Sequence, residues 1–134
     1  MLTLQLTNEN IYMIFTNLQQ YLINSQQDVI LPLLSNFYLL KNYKKFRNLS
    51  NEIDIMRESI GKKHGTLQED GTYFIAEDKI PLAQQELQEL GQIEQSVDIY
   101  TISLKDLKDT LLTTKQMEAL LFMIEDDEEE KKEN

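Results

Sequence analysis

The chain has 134 residues, 41% of them hydrophobic, with no cysteine and a formal net charge of −10. That length suits one domain with a modest core, and the missing cysteines exclude disulfides and thiolate metal sites. No apolar run approaches the ~20 residues that cross a bilayer, and Met1-Leu2-Thr3-Leu4-Gln5 has neither the basic nor the long apolar part of a signal peptide.

Leu2, Leu4 and Leu6 alternate with Thr3 and Gln5, which predicts a short strand over 2–6. Thr7 or Asn8 can cap the next helix, and Glu9 suits the positive end of its dipole. Ile11, Ile14, Phe15, Leu18, Tyr21 and Leu22 recur at three and four residues, predicting an amphipathic helix over 8–23. Asn24 to Asp28 form a polar break.

Pro32 fits a helix start, where its missing N–H is not needed. A long helix over 32–63 follows. Leu39, Phe46, Ile53 and Ile60 fall seven residues apart, and Leu49 and Met56 sit three after Phe46 and Ile53. This a/d pattern lays one apolar seam along the rod. At ~1.5 Å rise per residue the rod is on the order of 45 Å long. The expectation is that its broadly apolar first part, Leu33 to Leu40, packs in a globular core. The seam beyond then projects, packing on the first helix along part of its length and meeting another copy of the chain along the rest. Leu39, Phe46, Leu49, Ile53, Met56 and Ile60 are the candidate partner interface. Gly61 weakens the helix end, Lys62, Lys63 and His64 suit its negative pole, and Gly65 suits a left-handed cap.

Glu69-Asp70-Gly71 signals a turn before the strand formers Thr72 to Ile75, which predict a short strand or hairpin arm. Pro81 opens a helix over 81–92 with Leu82, Leu87, Leu90 and Ile93 expected inward, and Gly91 lowers its propensity. Val97 and Ile99 share one face of a strand over 97–102. Ser103 and Asp106 frame a helical turn. Thr113 and Gln116 have capping-box spacing ahead of a helix over 113–125. Asp127 to Asn134 is a charge run with nothing to bury, read as an acidic, disordered tail outside a single domain over 1–126.

Charge divides along the chain. Residues 29–65 hold seven Lys/Arg against three acids, a surplus of four, whereas residues 66–134 hold eighteen acids against six lysines. Glu125, Asp126, Asp127, Glu128, Glu129 and Glu130 form the candidate acidic surface, which could face a basic partner.

Motifs for chemistry are sparse. With His64 alone there is no histidine pair for a metal, and no calcium-loop, GxGxxG, P-loop or GxSxG spacing occurs. Gly61-Lys62-Lys63-His64-Gly65 sits at a helix C-terminus, which presents carbonyls rather than amides to a phosphate. Lys41, Tyr43, Lys44, Lys45, Phe46 and Arg47 mix cations with aromatics, as nucleic-acid surfaces do, but Phe46 belongs to the seam and the overall charge opposes a polyanion. No catalytic, cofactor or metal residue is assigned, and neither nucleic acid nor a membrane is expected as a partner.

Four stretches carry a resemblance. These are the capped opening Leu4-Gln5-Leu6-Thr7-Asn8-Glu9-Asn10-Ile11, the turn and aromatic strand Glu69 to Ile75, the stretch Val97-Asp98-Ile99-Tyr100-Thr101-Ile102 after a Leu/Glu helix, and the closing segment Leu112-Thr113-Thr114-Lys115-Gln116-Met117-Glu118-Ala119-Leu120-Leu121-Phe122-Met123-Ile124-Glu125. With the Lys-rich helix between them, this order resembles small uncharacterised proteins of tailed bacteriophages. The resemblance implies a phage product acting by contact with protein, in the virion or the host cytoplasm.

The resulting expectation is an α+β fold, mainly helical, in which the long helix packs with shorter helices and a small sheet from residues 2–6, 72–76 and 97–102. The leading function is a non-enzymatic virion structural or assembly component that binds viral or host proteins and self-associates through the long helix. The alternative is an acidic inhibitor of a host nucleic-acid-handling or defence protein. A third reading is an enzyme using carboxylates and a metal.

Overall fold

The computed structural model describes residues 1–25 and 29–125. Strand β1 (Leu2–Thr7) runs antiparallel to β4 (Glu94–Ile99), with Leu2 opposite Ile99 and Leu4 opposite Val97. The period-2 alternation places Leu4, Val97 and Ile99 on the core side. The outer face is joined by side chains directly across the ladder: Thr3 Oγ1 donates to Asp98 Oδ1 at 2.5 Å, and Gln5 Nε2 to Ser96 Oγ at 2.6 Å.

Thr7 caps helix α1 (Asn8–Leu18) by accepting the Asn10 amide at 3.1 Å. Ile11 and Leu18 are fully buried, and Ile14 and Phe15 pack beside them. The predicted helix continues to Ile23, but its last five residues, Gln19–Ile23, form a π-helical turn.

Helix α2 (Leu33–His64) is the spine, with Pro32 at its N-cap. Leu39, Tyr43, Phe46, Ile53 and Ile60 all point into one core. Asn42, also fully buried, grips the strand connection beyond β4. Its Nδ2 donates to the Tyr100 carbonyl at 2.8 Å and its Oδ1 accepts the Tyr100 amide at 2.9 Å. A carboxamide is a peptide in miniature, so this side chain continues the ladder where no strand is present. Tyr38 stacks on Tyr100 at 4.9 Å, and Lys45 Nζ donates to the Asp98 carbonyl.

At the end of α2, Gly65 does not take the expected left-handed cap. It is extended, with φ −126° and ψ 176°, and opens strand β2 (Gly65–Leu67). Glycine is needed there for closeness: a Cβ would lie 2.8 Å from the Gly61 carbonyl oxygen and 2.9 Å from that of Phe74. Strand β2 pairs antiparallel with β3 (Tyr73–Ile75) across the turn read from the sequence. Gly71 takes the positive φ of that turn, 88°, and the Asp70 carboxylate accepts both the amide (3.0 Å) and the hydroxyl (2.7 Å) of Thr72.

Helix α3 (Ile80–Gln92) begins with Pro81 in its first turn. Its inward stripe is Ala83 and Leu90, whereas Leu82, Leu87 and Ile93 are exposed, contrary to the sequence reading. One of the two buried residues of α3 is an alanine, which a leucine-based reading misses. Strand β5 (Ile102–Ser103) leads into a 3-10 turn, Leu104–Leu107, closed by the Ser103/Asp106 capping box. Helix α4 (Thr114–Leu120) carries the predicted Thr113/Gln116 box but stops five residues early. A 3-10 turn follows, and β6 (Ile124–Glu125) then pairs parallel with β5, Ile124 opposite Ile102.

The architecture is α+β and mainly helical, as the sequence indicated. Among the described residues, the single sheet expected from 2–6, 72–76 and 97–102 is instead three separate two-stranded ladders, β1–β4, β2–β3 and β5–β6. Each ladder adds side chains to the common core (Leu4 and Val97, Ile75, Ile102 and Ile124) in place of a third strand.

Candidate interaction surface

The a/d seam of α2 is covered from within the chain. Leu39, Phe46, Ile53 and Ile60 are buried and Leu49 is half-buried, leaving only Met56 of the six candidate interface residues exposed. Helices α1 and α3 lie over the rod in succession, and Phe122 meets Phe46 edge-on at 5.3 Å. Burial therefore removes Leu39, Phe46, Ile53 and Ile60 from any docking face of the folded monomer. A seven-residue repeat requires an apolar cover but does not require that cover to be one continuous helix.

The expectation for the first part of α2 is likewise reversed. Leu33 is 88% exposed, Leu34 60%, Phe37 50% and Leu40 43%. At ~100° per residue these side chains share a face opposite the one that buries Ser35, Leu39, Asn42 and Phe46. Ile30, just ahead of the helix, is also almost wholly exposed. Lys41 and Lys44 continue the same face toward the C-terminus, with the Lys41 ammonium 5.3 Å from the centre of the Phe37 ring. The exposed stripe could have been read from the spacing of Leu33, Phe37 and Leu40, which the stronger seam obscured.

A second feature is a cleft of about 610 Å³ between α1, α2 and α3. Ile53 and Leu90 form its buried floor, and Met13 and Leu87 its exposed apolar rim. Several of its polar groups have partners. Asn8 Nδ2 donates to the Leu90 carbonyl at 2.9 Å, Gln92 Nε2 to Glu9 Oε2 at 3.4 Å, and the Arg57 guanidinium lies 4.6 Å from the Tyr12 ring centre and 3.8 Å from Asp54.

No family model matches this chain, and no curated protein or solved structure does.

A third feature closes the far end of α2. Lys63 Nζ donates to Glu86 Oε1 of α3 at 2.5 Å. His64 Nε2 lies 3.2 Å from the same oxygen, without the alignment of a hydrogen bond. The Lys63 hydrogen bond holds the Glu86 carboxyl below the usual range; desolvation opposes the shift and His64 adds to it. This cluster ties α2 to α3. Among the described residues no three His, Asp or Glu side chains converge as metal ligands would, and no helix is long and apolar enough to cross a membrane. Of the acidic candidates, Glu125 is exposed and accepts the Thr101 hydroxyl at 2.8 Å, while Asp126 to Glu130 lie outside the described residues.

Proposed function

We propose that this chain is a non-enzymatic phage protein that acts by contact with other proteins, as a structural or assembly component of the virion. The observation that supports this reading is the apolar face of α2 formed by Leu33, Leu34, Phe37 and Leu40. It lies on the rigid spine of the fold, yet no described part of the chain covers it. Contiguous exposed apolar surface on a soluble protein marks a contact site. The resemblance of the element order and of residues 112–125 to small tailed-phage proteins supports the setting.

Mass spectrometry of purified particles tests this reading. The protein should be present in many copies, and Leu33→Glu should fold normally but fail to be incorporated. Absence of the wild-type protein from particles overturns the virion role. Salt-sensitive capture of a basic host protein would then favour the inhibitor reading.

A further inference from the structure

The stripe on α2 has a pattern that selects its own occupant. Leu33, Leu34, Phe37 and Leu40 together expose on the order of 500 Å² of apolar surface, near the upper end for a lone soluble chain. A standard interface takes ~800 Å² from each partner, and homodimers make about 65% of it apolar, which again comes to roughly 500 Å². The stripe is therefore about the size of the apolar part of one half of a stable dimer.

Its order along the helix is also symmetric about Phe37. Leu34 and Leu40 lie three residues to either side, and Leu33 and Lys41 lie four to either side. We propose that two copies of the chain pair through this face, α2 crossing α2 antiparallel with the twofold axis at Phe37. This deepens the contact reading given above and rests on it. In that arrangement Leu34 of one copy meets Leu40 of the other. Leu33 meets the methylene stem of Lys41, which covers apolar surface while its ammonium stays in water.

Charge decides the orientation. A parallel pairing would set Lys41 against Lys41 and Lys44 against Lys44. The antiparallel pairing separates the two Lys41 positions by eight residues, about 12 Å along the axis at ~1.5 Å per residue, beyond the ~10 Å Debye length at 0.1 M salt. Charge also separates this occupant from a foreign one. Two copies each carrying −10 repel at long range, so added salt tightens the dimer. An acidic helix attracted to Lys41 and Lys44 would instead be weakened by salt.

The test uses the full chain in analytical ultracentrifugation across a wide concentration series. The wild-type mass should rise from one chain to two, and the dimer should strengthen with added salt. Phe37→Glu should weaken it by roughly a hundredfold, as for loss of a central anchor, while keeping the wild-type circular dichroism. Ile55→Glu, exposed farther along the same face, should leave the dimer intact. Because the chain has no cysteine, Phe37→Cys reports the crossing point directly: at protein concentrations high enough to populate a dimer weakened by loss of the ring, it should cross-link on oxidation, and Ile55→Cys should not. A wild type that stays monomeric, a Phe37→Glu dimer as tight as wild type, a dimer weakened by salt, or cross-linking through both cysteines overturns the proposal. A monomeric wild type whose Leu33→Glu variant is still excluded from particles sinks the dimer and leaves the contact reading standing. A dimeric protein absent from particles does the reverse.

Discussion

At the scale of single residues, the fold depends on a few side chains that do the work of backbone. Asn42 is the clearest. Both of its amide groups engage Tyr100 where β4 has ended and β5 has not begun. Asn42→Ala would leave a partly buried N–H and C=O without partners and should destabilise the protein by about 1–3 kcal/mol, read from the urea midpoint; an unchanged midpoint would refute the clamp. Nothing in the sequence marked this residue, because an asparagine between Lys41 and Tyr43 looks like solvent-facing filler. Gly91 and Gly65, both near helix ends, differ in a way the sequence also hides. A Cβ at Gly91 would meet only the Glu9 Cβ, at 3.9 Å, which is ordinary contact. Gly91→Ala should therefore stabilise α3 by about 0.5 kcal/mol through helix propensity. Gly65→Ala should instead destabilise by about 1–3 kcal/mol, because carbonyl oxygens crowd it on two sides. Thermal unfolding of the pair should shift in opposite directions.

At the scale of elements, the caps and turns were legible and the partners were not. Thr7, the Ser103/Asp106 and Thr113/Gln116 boxes and the Asp70-Gly71 turn act through neighbours two or three residues away, so the sequence contains the whole interaction. Strand pairing is not always local. The 72–76 arm closes the local hairpin that the Glu69-Asp70-Gly71 turn signals, on Gly65–Leu67 rather than in a common sheet, whereas Thr3 and Asp98 face each other across the β1–β4 ladder although they are 95 residues apart. The α2–α3 junction behaves the same way. Lys63 and Glu86 are 23 residues apart, and only the fold brings them to 2.5 Å. The folded-state carboxyl of Glu86 lies below its ordinary value of 4.5. Its contribution to stability is therefore present above that value and is lost as pH falls through the lower, folded one. Glu86→Gln should be less stable than wild type at neutral pH, and the gap should close progressively on acidification below pH 4.5. A gap that widens toward low pH would contradict the assignment. Asp70, also held below its ordinary value by the Thr72 hydroxyl and amide, cancels in this comparison because both proteins retain it.

At the scale of the whole molecule, α2 has two apolar faces with opposite fates. The seam through Phe46 is the core itself, and the stripe through Phe37 is exposed. The seam's period runs farther along the helix than the stripe's, so in the sequence it points the docking role at the residues the chain buries for itself. The distinction can be measured with one substitution made twice. Phe46→Glu places an unpaired charge where exposure is zero and should abolish cooperative unfolding. Phe37→Glu removes a half-exposed ring and gains a favourable i,i+4 pairing with Lys41, so in dilute solution its stability should stay within about 0.5 kcal/mol of wild type. The two proteins should then diverge as concentration rises. Association of folded chains raises the unfolding temperature by mass action, so the wild-type midpoint should climb with protein concentration while that of Phe37→Glu stays flat. Parallel behaviour of the two across the series would mean that the outer face of α2 contributes nothing beyond the monomer.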